Sequence, residues 1–195
     1  MIAMAKKYEF RPDKPRTNLL HHLLLTKQQQ KTALKWTLYA ALLIFISVVQ
    51  DVLLSPVRLL GATTELVPCA IFLICLLEGS QSGSIFSLVA SLLYLFSGTA
   101  PGPYSMVAIT FLSVGACIFR QAFLQQGFFA TLLCCGAAMA LYELVNFFFG
   151  LFLALTPFSR IYGFLITAAL SLLAVPFLYP ILKAISTIGG PSWKE

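Results

Sequence analysis

The sequence has very little charge for its length. Of its 195 residues, 10% are Asp, Glu, Lys or Arg and 59% are hydrophobic. Soluble domains have about 25% charged residues on average, so a water-soluble chain of this composition would lack polar groups for its surface. The composition therefore excludes a soluble enzyme domain, a disordered chain and a collagen-like fibre. It predicts a helical membrane protein with several spans.

Residues that carry catalysis or bind metals are also scarce. The two histidines, His21 and His22, are adjacent and precede the first apolar run. The five cysteines lie inside apolar runs and form no Cys-x-x-Cys pair, which is typical of small packing residues. No GxSxG, HExxH, P-loop or dinucleotide motif is present. We therefore expect a protein that is not an enzyme, with no catalytic residue, cofactor, metal or disulfide.

The positive charge is concentrated at the N-terminus. Residues 1–35 contain eight basic and two acidic residues, a net charge of +6 that equals the net charge of the whole chain. A basic segment before apolar spans fits an anionic inner leaflet better than a nucleic acid. We interpret residues 1–33 as a basic cytoplasmic leader.

The leader contains one amphipathic pattern. Four leucines share a face of a helix that is predicted to lie in the membrane interface: Leu19, Leu20, Leu23 and Leu24. A loosely ordered tail that only sets the topology explains the same residues equally well. A docking surface for a cytoplasmic partner is a third interpretation.

Six apolar segments separated by short turns are candidates for transmembrane helices, each of which needs about 20 residues. They are 34–54, 66–77, 82–96, 104–123, 128–155 and 161–185. The second and third are the least secure, because only residues 79–83 separate them. In the sixth, Pro176 and Pro180 predict a kink.

The basic residues also predict the orientation. With six spans, eleven Lys and Arg residues lie on the side of the termini and two on the other side, so the termini are predicted to be cytoplasmic. The sequence thus predicts an all-α polytopic membrane protein with short loops and N-in/C-in topology. Its six-helix membrane domain covers residues 34–185, and residues 186–195 form a short cytoplasmic tail.

A stripe of small residues is the clearest packing signal. Gly79, Gly83, Ser87 and Ser91 recur every four residues, from the turn into the third span. In lipid, small residues on one face let helices approach closely. We therefore predict that this face packs against a neighbouring helix.

Polar residues inside the predicted spans are few. Glu143 lies in the middle of the fifth span, with Asn146 three residues later on the same face. An ionisable group at that depth should face the bundle or a cavity. A proton or substrate site is one interpretation, and an interhelical hydrogen bond is favoured, since no basic residue is predicted at matching depth. Asp51, near the outer end of the first span, is predicted to pair with Arg58.

Several short motifs lie between residues 66 and 150. A proline opens a short span, a Gly-x-x-x-Gly turn leads into the next helix, a small-residue loop ends near a glycine, and a span closes on a basic residue. The residues at these places are Pro68, Gly79, Gly83, Ser97, Gly98, Gly102 and Arg120, with Tyr142 and Glu143 in the fifth span. In these motifs the chain resembles the rod shape-determining protein MreD family, over roughly residues 34–185.

The resemblance implies a non-catalytic scaffold of the cell-elongation machinery in the bacterial plasma membrane. Members of that family bind the single-span protein MreC and help couple MreB filaments to lateral-wall peptidoglycan synthases. The basic leader adds anionic lipids as expected partners, and we expect neither a nucleic acid nor a small-molecule substrate. Two features depart from the family pattern: Tyr94 stands where many members have an aspartate, and the leader is longer than expected.

A second function class also fits six spans with both termini inside. Such a chain resembles the substrate-capture component of an energy-coupling-factor vitamin transporter, which would have a ligand pocket near the outer face and an Ala-x-x-x-Ala docking face on the first span. Here Thr37 and Ala41 are the nearest pair to such a face, and the outer loops hold few polar groups. The sequence favours the scaffold, with a lipid-handling membrane protein as a further alternative.

Overall fold

The computed structural model describes residues 27–54, 63–123 and 127–188, and every regular element in these ranges is helical. A short 3-10 turn lies at Phe158–Arg160. The helices are α1 (Lys27–Val49, continued by a π-helical turn at Gln50–Leu54), α2 (Leu66–Glu78), α3 (Ser80–Phe96), α4 (Tyr104–Phe123), α5 (Phe128–Phe152), α6 (Ile161–Leu173) and α7 (Val175–Ser186).

Three stretches of helix are long and apolar enough to cross a membrane: Gln29–Leu54, Tyr104–Ala122 and Phe128–Phe152. The bent pair α6 and α7 would form a fourth span, whereas α2 and α3 are apolar but shorter. For the described residues, the prediction of an all-helical chain with several membrane-capable helices is therefore confirmed. The leucines of the predicted amphipathic helix and the last seven residues of the tail lie outside the described residues. The first helix starts at Lys27, inside the predicted leader.

The short helix α2 forms the centre of the bundle. Eleven of its 13 residues are buried, and it contacts each of the other six helices described here. Its sequence, LVPCAIFLICLLE, is apolar on every side, which is the pattern of a helix surrounded by others. Because 13 residues extend only about 20 Å, α2 is too short to cross a hydrocarbon core of about 30 Å.

The N-terminal end of α2 is held by side chains from two neighbouring helices. Gln50 Oε1 accepts hydrogen bonds from the backbone N–H groups of Leu66 and Val67, at 2.8 and 2.9 Å. Ser171 Oγ accepts one from the N–H of Glu65 at 2.9 Å. These contacts satisfy backbone donors that a helix start leaves free. Since Ser171 is ten residues into α6, α2 begins about 15 Å along that helix.

Helices α2 and α3 form a hairpin whose turn is one residue. Gly79 has φ 90°, a left-handed conformation that favours glycine, and its N–H bonds to Cys75 O at 3.0 Å. Gly83 then faces α2 so closely that a Cβ atom there would lie 2.8 Å from Cys75 O and 2.9 Å from Cys75 Cα. The two predicted spans are therefore one tightly packed unit.

The last predicted span is broken. Helices α6 and α7 meet at Ala174 and differ in direction by 47°. Pro176 lies at the start of α7, where its missing N–H and its ring prevent α6 from continuing. Pro180 lies inside α7, so the break occurs at the first proline and the helix continues through the second.

The contact at Gly83 gives a test of the hairpin. We expect Gly83→Ala to lower the free energy of unfolding by about 1–3 kcal/mol, because the added methyl group meets backbone atoms that cannot rotate away. Thermal unfolding of the purified protein in detergent measures the change. Gly115→Ala is the matched control, since a Cβ there has no heavy atom within 4 Å. Equal stability of the two variants would contradict the close approach.

Candidate functional site

Two buried polar clusters lie at opposite ends of α2. We call the first the Glu78 cluster, formed by Lys35, Tyr39, Glu78 and Arg120 around the C-terminal end of α2. We call the second the Glu143 cluster, formed by Glu65, Tyr94, Tyr142, Glu143 and Asn146 near the N-terminal end. In the first cluster, Lys35 and Glu78 form an ion pair. In the second, both charged groups are acids.

In the Glu78 cluster, Lys35 and Glu78 neutralise each other. Lys35 Nζ lies 2.7 Å from Glu78 Oε2, and the two side chains are 6% and 2% exposed. Tyr39 donates a hydrogen bond to Glu78 Oε1 at 2.7 Å. Because each carboxylate oxygen has a partner, the cluster has the arrangement that a buried ion pair needs. Its role is to join α1 to the end of α2.

The last carbonyl groups of α2 are also satisfied. The guanidinium of Arg120 donates a hydrogen bond to Leu76 O, and Cys117 Sγ lies 3.5 Å from Cys75 O. A cation at a helix C-terminus stabilises the partial negative charge of the exposed carbonyls. Arg120, which the sequence placed only at the end of the fourth span, therefore caps a different helix.

The Glu143 cluster lacks such pairing. Six of its buried side-chain atoms have no hydrogen-bond partner among the described residues: Glu65 Oε2, Tyr94 Oη, Tyr142 Oη, Glu143 Oε1, Asn146 Nδ2 and Asn146 Oδ1. The Asn146 side chain lies beside both Tyr142 and Glu143, and the Tyr142 side chain lies beside Glu65. Tyr94 lies beside Gln50 in the same way, so each side chain of the cluster has a polar neighbour inside the bundle. The cluster therefore combines two carboxyl groups with neutral oxygen atoms at close range.

The predicted polar residues occupy different positions in this arrangement. Glu143 and Asn146 lie together and are each 3% exposed. Asp51 lies in the π-helical turn after α1, near Tyr94, and is partly exposed. Its predicted partner Arg58 lies outside the described residues. Tyr94, where the resemblance expects an aspartate, faces the acidic Glu65.

The small-residue stripe lies between α3 and its neighbours. Gly83, Ser87 and Ser91 are buried. Gly83 packs against α2, and Ser91 Oγ lies 3.1 Å from Thr110 Oγ1 of α4. Gly79 differs from the others, because it forms the turn and not a packing face. The stripe is a helix contact, and its two serine hydroxyls donate hydrogen bonds to carbonyl groups of their own helix.

An apolar groove with a volume of about 340 Å³ lies between α4 and α5. Phe111, Phe119, Leu133 and Leu141 form its rim and are 49–77% exposed. Sequence reasoning did not identify it. The residues that line it are Phe111, Leu112, Gly115, Ala116, Phe119, Leu133, Cys134, Ala137, Ala138 and Leu141.

Sequence reasoning also missed the ion pair of the Glu78 cluster and three members of the Glu143 cluster. Lys35 was considered only as part of the positive charge of residues 1–35, and Glu78 lies just beyond the predicted second span, which ends at residue 77. The sequence offered one signal for this ion pair, namely two opposite charges near the ends of neighbouring predicted spans. Tyr142 lies four residues before Asn146 on the same helix, so helical spacing was its available signal. For Glu65 and Tyr94 the sequence offers no such signal, since their proximity depends on tertiary packing.

The Glu78 cluster gives the next prediction. Lys35→Met leaves a buried carboxylate without its cation, and we expect it to lower the free energy of unfolding by about 3–5 kcal/mol. Adding Glu78→Gln should recover most of that loss, because the remaining groups are neutral. Thermal unfolding of the single and double variants gives the coupling energy. Additive losses would show that the two residues do not interact.

No protein-family model, no curated protein and no solved structure matches this chain. Function is therefore inferred from the residues of the chain itself. Two features bear on it: the apolar groove between α4 and α5, and the unpartnered polar atoms of the Glu143 cluster.

Proposed function

We propose that this chain is a non-catalytic scaffold of the bacterial cell-elongation machinery, similar to the MreD family, and that it binds the single transmembrane helix of MreC. Through that partner it would act with MreB filaments and lateral-wall peptidoglycan synthases. The observation that carries the proposal is the α4–α5 groove, which has the dimensions and the lining of a helix-docking surface. The identity of the partner, MreC, comes from the resemblance of the motifs between residues 66 and 150 to the MreD family.

The groove is built for close approach. Its floor contains Gly115, Ala116, Ala137 and Ala138, so a partner backbone can come nearer here than elsewhere on these helices. Phe111 and Phe119 are eight residues apart, and the groove therefore runs about 12 Å along α4, or two helical turns. Close packing over small residues is the main source of helix association in lipid, where apolar surface alone gives no preference.

The groove is also accessible to a partner within the membrane. Phe111 is 77% exposed and Leu133 is 61% exposed, so these rim side chains would contact lipid where α4 and α5 cross the membrane. The groove lies near the middle of α4 and α5, which together with α1 are the three longest helices of the described residues. A lipid chain could fill the same space, but it would gain nothing from the glycine and alanine floor.

The proposal includes six helical passes with both termini in the cytoplasm, of which the short α2 passes through the interior of the bundle and not through lipid. The contacts of α2 support this orientation, because Lys35 at the start of α1 and Arg120 at the end of α4 meet at one end of the bundle. Ser186, at the end of α7, lies beside Tyr39 at the same end. Lys31, near the start of α1, and Lys183, near the end of α7, belong to the same end of the bundle. Arg160 directly precedes α6 and lies at the opposite end of the bundle. Such a distribution fits the positive-inside rule, and anionic lipids would contact the leader.

The vitamin-transporter alternative is favoured by one observation, the Glu143 cluster. A substrate-capture protein needs polar atoms inside the bundle, and here six of them are unpartnered. The scaffold remains the stronger proposal, since the members of that cluster are almost fully enclosed whereas the groove is open to the membrane. A vitamin bound in stoichiometric amount, detected by native mass spectrometry, would reverse this order.

Two glycines allow a matched test of the groove. Gly115 in the groove and Gly163 in α6 both have no heavy atom within 4 Å of a Cβ position, so leucine is expected to leave the fold of either variant intact. We expect Gly115→Leu to reduce co-purification of MreC about tenfold or more, because a hot-spot contact is worth about 2 kcal/mol. Gly163→Leu should retain MreC.

Two further measurements accompany the pull-down. Depletion of the chain should cause rod-shaped cells to become round, and the Gly163→Leu variant but not the Gly115→Leu variant should restore the rod. Equal amounts of both variants in the membrane must be shown by quantitative blotting. If wild-type protein does not co-purify with MreC, the proposed partner is wrong. If both variants retain MreC, the groove is not the docking surface.

A further inference from the structure

The connection between α5 and α6 exposes large apolar side chains. It comprises residues 153–160 and lies at the end of the bundle opposite to the Glu78 cluster. The side chains in and beside it that are 69–88% exposed are Phe152, Leu155, Phe158 and Tyr162. Single apolar side chains are normal on a surface, whereas several in one short connection mark a contact with a protein or a membrane.

Backbone hydrogen bonds fix the conformation of this connection. The carbonyl oxygen of Gly150 accepts bonds from the N–H groups of Leu155 and Thr156, at 2.9 and 3.2 Å. Ala154 has φ 56°, the left-handed conformation with which many helices end. A Cβ atom at Gly150 would lie 2.6 Å from Thr156 Oγ1, so the chain folds back directly onto the last turns of α5. Leu155 is therefore held in an exposed position by the backbone.

Helix α4 gives the level of this connection relative to a membrane. Its 20 residues extend about 30 Å, which equals the thickness of the hydrocarbon core. The ring of Tyr104, the first residue of α4, stacks on Phe149 of α5 with the ring centroids 4.4 Å apart. With α4 spanning the core, Phe149 lies at its boundary and Phe152 lies about 4.5 Å beyond it. The connection that follows is then at the level of the lipid headgroups.

The neighbouring connection at the same end of the bundle has a different composition. Residues 97–103 join α3 to α4 and have the sequence SGTAPGP, which contains no large apolar side chain. Both connections follow an exposed phenylalanine at the end of a helix, Phe96 and Phe152. The large apolar side chains are therefore a property of the α5–α6 connection and not of this end of the molecule as a whole.

The surroundings of the connection favour lipid over a protein partner. Phe148 on α5 and Leu165 on α6 are also exposed, so the apolar surface continues along two helix faces that would meet lipid. Arg160 is exposed, and its guanidinium group is complementary to a phosphate in charge and geometry. Arginine and tyrosine beside apolar side chains are typical of the membrane interface, where an apolar stem and a polar tip both find partners.

We propose that the α5–α6 connection is a lipid-binding surface in the membrane interface, with Leu155 and Phe158 inserted among the lipid headgroups and Arg160 beside a phosphate group. It anchors the adjoining ends of α5 and α6 in one leaflet. This contact requires that the chain spans a membrane, whereas it does not require that the α4–α5 groove binds MreC.

Power-saturation EPR of a nitroxide label distinguishes contact with lipid, water and protein. Leu155→Cys is labelled in the purified full-length protein, in nanodiscs of phosphatidylethanolamine and phosphatidylglycerol. The five native cysteines are buried, and wild-type protein treated with the label measures the background. We expect the label at residue 155 to lie about 5–10 Å below the lipid phosphates and to collide more often with O₂ than with a water-soluble nickel chelate. Thr99→Cys, in the other connection, is the matched control and should report water.

A second site and a change of charge complete the test. Phe158→Cys covers the case in which Leu155→Cys fails to fold, and its label should be immersed in the same way. Arg160→Gln should move the label at residue 155 closer to water, whereas Lys183→Gln, at the other end of the bundle, should leave its depth unchanged. A label that collides mainly with the nickel chelate, a label shielded from both reagents, or equal depths at residues 155 and 99 would each overturn the proposal. An unchanged depth in Arg160→Gln would overturn the phosphate contact.

Discussion

The fold depends on keeping a short helix fully enclosed by protein. Helix α2 is about 20 Å long, so its two ends lie where lipid cannot satisfy free N–H and C=O groups. The chain supplies partners at both ends: Gln50 and Ser171 at the start, and Gly79 and Arg120 at the finish. The other six helices are arranged around this requirement.

The two ends of α2 carry polar groups in different ways. At the C-terminal end, Lys35 and Glu78 neutralise each other in a contact of 2.7 Å, and little is left for an external ligand. At the N-terminal end, the neighbours of Glu65 and Glu143 within the described residues are neutral, Tyr142 beside Glu65 and Asn146 beside Glu143. The same helix therefore has an ion pair at one end and neutral polar contacts at the other. The apolar groove is separate from both, and its rim side chains are exposed.

Much of the helix pattern follows from the sequence. The predicted segment 104–123 coincides with α4, and the turn between the second and third predicted spans lies at Gly79, as the hairpin shows. Both could be predicted because long apolar runs and turn residues are local features of a sequence. The sequence did not show that α2 is enclosed by six helices, since its length and hydropathy also fit a lipid-facing span. The sequence predicted only part of the Glu143 cluster. Glu143 and Asn146 share one helix, whereas Glu65 and Tyr94 reach them only through tertiary packing.

The ion pair between Lys35 and Glu78 has a consequence for how the protein enters the membrane. Lys35 lies in the first helix and is synthesised before Glu78, so the first helix can be in place when the acidic end of α2 arrives. Arg120 is made later still, and until then the last carbonyl groups of α2 lack that donor. The C-terminal end of α2 therefore acquires its partners in two steps, first from α1 through the ion pair and later from α4 through the guanidinium of Arg120.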